Sequence, residues 1–158
     1  MTALTARRIE LRLEQMVGAE RGLTARHALM AADRRLDLIR DDCRRELDLR
    51  LERLNAFARR DPAQRPPDQT LERVILEAEA ALTACGALNR PMLGRALGLL
   101  CAMADALMHT RYWPEGALNP AINLVGLCRA GDLPGPQGEV MLQALERCLA
   151  QYLRHIER

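Results

Sequence analysis

The chain has 158 residues, 49% of them apolar, yet only four are aromatic: Phe57, Tyr112, Trp113 and Tyr152. The apolar residues are mostly Leu and Ala, which favour helices, and the Val/Ile/Thr/aromatic runs that mark strands are absent, so a β-rich core is excluded and an all-α protein is predicted, long enough to bury a core. All 23 basic residues are Arg; with 21 acids the net charge is +2, and no basic run exceeds two residues, which disfavours nucleic-acid and membrane-surface binding.

Residues 1–23 read as a short N-terminal helix or arm. Ile9, Leu13, Met16 and Val17 share one helical face, and Gly18 and Gly22 bracket a break. The segment is too charged for a secretory leader. Two readings stand side by side, a loose arm and a docking segment that folds onto a partner.

From 24 to 60 the spacing predicts one long, charged, amphipathic helix, with Leu23 and Thr24 as its N′ and N-cap residues. Its seam runs Leu29, Ala32, Leu36, Ile39, Cys43, Leu47, Leu51, Leu54, Ala58, in steps of three or four. Neither Gly nor Pro interrupts it. At 1.5 Å of rise per residue the rod would be on the order of 55 Å long, longer than any helix read downstream, so part of the seam needs a partner. Arg and Asp interleave on the opposite face, several of them three or four residues apart. The steps from Ile39 to Leu51 are all fours and drift from a 3.5-residue repeat, so a regular parallel coiled coil is not specified. The seam could lie on the following helices or pair antiparallel with its own copy.

Residues 61–69 form a Pro-rich linker in which Pro62, Pro66 and Pro67 end the helix; the boundary between rod and bundle is placed here. Residues 70–158 read as an antiparallel helical bundle. Asp68 or Thr70 caps a helix from Leu71 to about Cys85, with Leu71, Val74, Ile75, Ala78, Ala81 and Leu82 inside and Gly86 as its C′ residue. Asn89-Arg90-Pro91 opens a helix to about His109 that is apolar almost all round and belongs in the centre. Gly94 and Gly98 on it permit close helix approach. Arg95 and Asp105 argue against a membrane span, and none is expected. Asn119 and Pro120 start a short helix over 121–129. A last helix over 139–155 buries Val140, Met141, Leu145, Cys148, Leu149, Tyr152 and Ile156.

The chemistry is sparse. The chain has no Ser, which leaves Thr and Cys as hydroxyl or thiol nucleophiles. Cys43, Cys85, Cys101, Cys128 and Cys148 are scattered singly, as suits reduced thiols in a cytoplasm; Cys85 and Cys101 read as core residues. There is no CxxC, HExxH or clustered Cys/His spacing, so no metal and no cofactor is expected. A helical bundle with an exposed His can serve phosphotransfer, and His109 with Arg111 nearby is the pair that could do so. The competing reading of His109 is a cap on its helix C-terminus. Tyr112 and Trp113, beside Pro114, form a recognition patch or a lid packed over the bundle end.

The run RHALMAADRRLDLIRDDCRRELDLRLERL, then a Pro-rich link, then LERVILEAEAALTACGALNRPMLGRALGLLCAMADAL, resembles the small helical proteins encoded among chemotaxis genes in alphaproteobacteria, the CheE-type family. The likeness covers most of residues 24–130. It implies a non-enzymatic, cytosolic accessory of chemotaxis or two-component signalling, and it carries no functional residues with it. The residues themselves point to a helical interaction or scaffold protein, not an enzyme, that binds a protein partner or self-associates as a homo-oligomer. Its partner-binding residues would be Leu29, Leu36, Ile39, Leu47, Tyr112 and Trp113. The alternatives are a phosphotransfer-like bundle using His109 and an Arg-rich nucleic-acid binder.

Overall fold

Breaker residues set the helix ends. The computed structural model describes residues 25–110, 112–131, 133 and 135–156. The expected arm over 1–23 and the Thr24 cap lie outside the described residues. Five helices follow in order: α1 Ala25–Ala58, α2 Asp68–Leu88, α3 Pro91–Met108, α4 Asn119–Ala130 and α5 Gly135–Ile156. Among the described residues there is no strand, and the fold is all-α.

Several ends differ in detail from the sequence expectation. Neither Asp68 nor Thr70 caps α2 through its side chain; Pro67 holds the N-cap position and its carbonyl accepts from the Thr70 N–H at 2.8 Å. The helix runs through Gly86 and stops at Asn89, which is left-handed at φ 50° and ψ 52° and donates its backbone N–H to the Cys85 carbonyl. Asn tolerates that conformation better than most residues, so it replaces Gly86 as the stop. Arg90 is then the N-cap of α3 and Pro91 its first residue. α5 begins at Gly135, four residues earlier than expected, and takes Pro136 into its first turn. A proline is accepted there because first-turn N–H groups have no helical acceptor.

The core is built round α3, which packs against α2, α4 and α5, while α4 also meets α5. Leu93, Leu97, Leu100, Met103 and Leu107 are fully buried on it. Burying each such side chain is worth about 1.5–3 kcal/mol, so α3 supplies a large part of the driving force. Among the described helices, α3 alone is long and apolar enough to cross a membrane; its cover of three helices accounts for that composition. Leu142 of α5 also lies fully inside, whereas Leu82, Val140 and Ile156, expected inside, are exposed.

Among the described residues the tightest approach at a glycine is at Gly138; at Gly94 the contact is an ordinary one, a Cβ there lying 3.5 Å from Leu82 Cδ1 of α2. A Cβ at Gly138 would sit 2.9 Å from Met92 Cε, whereas one at Gly98 would meet nothing within 4 Å. The thioether of Met92 fills the space that glycine leaves on α5.

The chain divides into two compact units, Met1–Arg40 and Asp41–Arg158. The division falls inside α1 and not at the Pro-rich linker. The reason is packing: Leu47, Leu51 and Leu54 belong to the buried core cluster, so the second half of α1 is itself a bundle element.

Candidate functional site

α1 is helical because Ala, Leu and Arg fill it without a Gly or Pro, and short-range ion pairs reinforce its exposed side. Asp37 pairs with Arg40 at 3.3 Å, Asp41 with Arg44 at 2.8 Å, and Asp42 with Arg45. In each case the acid precedes the base by three residues, the spacing that places two side chains one turn apart.

Along the seam the environment changes. Leu29 and Ile39 are 65% and 52% exposed, in the unit that ends at Arg40. Cys43 is half-buried, and from Leu47 onward the same stripe is in the core. Leu47 is 5% exposed and makes no accessible surface, so it leaves the set of partner-binding residues. The Leu36 side chain lies outside the described residues. Met30 and Leu38 were not foreseen; Leu38 is 67% exposed. At 100° per residue Leu38 sits roughly opposite the seam, so the first half of α1 carries bare apolar groups on more than one side. The signal was present in the sequence, but a single-stripe template passes over it.

Polar ties hold the second half of α1. Arg50 Nη1 and Arg53 Nη1 donate to the two carboxylate oxygens of Glu77 on α2, at 2.8 and 3.0 Å. Burial alone would raise the Glu77 carboxyl, but these two guanidinium groups hold it below its ordinary range. Asp48 pairs with Arg129 at the end of α4, at 2.9 Å.

The aromatic loop has its own anchorage. Trp113 Nε1 donates to the Pro62 carbonyl at 3.2 Å, and the Gly116 N–H reaches the same oxygen at 2.9 Å. Gly116 adopts φ +67°, a conformation that favours glycine. Trp113 is therefore committed to closing the loop over residues 61–67. Tyr112 stacks on His155 with ring centroids 4.0 Å apart, and its ring lies 6.3 Å from that of Tyr152. It is still 40% exposed. Tyr152 is buried, donates to the Ala117 carbonyl at 3.1 Å, and its hydroxyl is pushed up to about 12 by burial. Of the two aromatics, Tyr112 keeps an accessible face and Trp113 is half-buried.

His109 follows the last residue of α3. Its backbone N–H donates to the Asp105 carbonyl at 3.3 Å, and its Nδ1 lies 2.9 Å from the same oxygen. That is a C-cap geometry, not the mid-helix position that phosphotransfer calls for. Arg111, its proposed companion, lies outside the described residues. Among the described residues no group of three or more His, Cys, Asp or Glu is arranged to hold a metal ion. Burial raises the Cys85 and Cys128 thiols, and burial together with the Glu79 charge pushes Cys101 to about 11, the opposite of what a thiolate nucleophile requires.

No protein-family model, no curated protein and no solved structure matches the chain.

Proposed function

We propose that the protein is a non-enzymatic helical interaction protein that associates with a second copy of itself through the first half of α1. One observation carries the reading: the stripe that is buried at Leu47, Leu51 and Leu54 continues uncovered at Leu29 and Ile39. Two exposed Leu or Ile residues so placed on a charged helix suit helix-on-helix pairing. The flanking charges, Asp33, Arg34, Arg35, Asp37 and Arg40, mix both signs, so a copy of the same helix can meet complementary charge. A short coiled-coil contact in a homodimer is the arrangement we favour. The raised thiols support a non-catalytic role, and the scattered single cysteines suit a cytoplasmic protein. The likeness to the CheE-type family supports a place as an accessory of chemotaxis or two-component signalling.

Size-exclusion chromatography with light scattering tests the self-association. The full chain is expected to run as a dimer and the double variant Leu29→Glu/Ile39→Glu as a monomer with unchanged helical circular dichroism. A monomeric parent chain, or a variant that remains dimeric, removes the proposal.

A further inference from the structure

A second surface lies wholly within the bundle unit. The last turns of α1 and the first turns of α2 form a groove of about 490 Å³ that opens to solvent. Its floor is apolar: Leu54 and Val74 are buried there and Phe57 is half-buried. Its walls carry three guanidinium groups, from Arg53, Arg60 and Arg73. The one acid in the lining is Glu77, and Arg50 and Arg53 already occupy both of its oxygens. Arg60 lies 5.8 Å from the centroid of the Phe57 ring. Among the described residues, Arg60 and Arg73 have no carboxylate partner, unlike Arg50 and Arg53 beside them.

We propose that this groove binds a peptide segment of a partner protein in which acidic and apolar side chains alternate at helical or extended spacing. Its carboxylates would pair with Arg60 and Arg73, whose planar guanidinium forks match a carboxylate two bonds at a time. Its apolar side chains would cover Leu54, Phe57 and Val74, an arrangement of aromatic and Arg groups typical of binding hot spots. A small-molecule site encloses most of its ligand, and an open groove does not, so a segment whose far side remains on the partner fits better. Nucleic acid fits less well: the floor is aliphatic for most of its length and offers Phe57 as its one stacking ring. The residues involved are distinct from Leu29 and Ile39, so the two readings fail separately.

Panning a display library of random twelve-residue peptides against the full chain tests this. The selected pool is expected to combine Asp or Glu with Leu, Ile or Phe. A fluorescein-labelled member of that pool should bind at least about tenfold more weakly to Arg60→Glu/Arg73→Glu, since each lost charge-assisted contact is worth about a factor of ten. Leu29→Glu/Ile39→Glu should bind the peptide like the parent. Both arginines are exposed, and a thermal melt of each variant checks that the fold is retained. No enrichment, a pool without acids, or a peptide indifferent to the charge reversal overturns the proposal. So does displacement of the peptide by millimolar inorganic phosphate alone, which would mark a simple anion site, or by a short DNA duplex at the peptide's own concentration.

Discussion

In its first half α1 shows Leu29 and Ile39 to solvent; in its second half the same stripe, at Leu47, Leu51 and Leu54, lies in the core. Composition does not separate the halves, since both are rich in Leu, Arg and Asp and both carry acid-to-base pairs three residues apart. What separates them is what lies alongside. The second half is fastened by Glu77 and Arg129 as well as by apolar burial. Helical periodicity thus identifies a face that wants cover, and the origin of the cover is a property of the tertiary structure.

The largest effect expected from this contrast is in apolar truncation. Leu51→Ala should lower the unfolding free energy by about 2–5 kcal/mol in a urea titration, whereas Ile39→Ala in dilute protein should change it by no more than about 0.5 kcal/mol. Equal losses would mean that the two halves are covered alike. A smaller effect is expected from the fastening charge. Glu77 is held below its ordinary range in the folded state, so its stabilisation is complete above the unfolded carboxyl value of 4.5 and is lost as pH falls through the lower folded value. Glu77→Gln should therefore reduce the urea midpoint at neutral pH, by less than Leu51→Ala does, and flatten the decline of stability in acid. A variant that declines as steeply as the parent below pH 4.5 would show that other carboxylates govern the acid limb. The smallest effect belongs to the exposed pair in the first half: Asp37→Asn should shift stability by less than about 0.5 kcal/mol, because both partners are more than half exposed. A larger loss would reveal cover over that segment.

Much of the helix order was legible because its punctuation is chemical. Pro62, Pro66 and Pro67, then Arg90-Pro91, then Asn119-Pro120 are strong local constraints, and the observed helices start and stop beside them. The core position of α3 was legible because a helix apolar on most sides has nowhere else to go. The start of α5 was not, since Gly-Pro-Gln-Gly reads as a breaker unless its first turn is known to accept proline. Leu82 and Val140 have the right spacing for burial and yet stay exposed; no local pattern reports that. The Gly138–Met92 contact joins residues on different helices, so it too was beyond a reading along the chain. For the candidate surface, Leu29 and Ile39 could be named from the seam, but the point near Cys43 where its cover ends could not. The Arg53, Arg60 and Arg73 groove is assembled across the Pro-rich linker and has no signature in either helix taken alone.

The bond between the Trp113 indole and the Pro62 carbonyl spans 51 residues of sequence. Because Trp113 is the chain's single indole, its emission is a built-in optical gauge of that one long-range closure. Read against far-ultraviolet dichroism, which averages every helix, it separates opening of the loop from melting of the bundle without any added label.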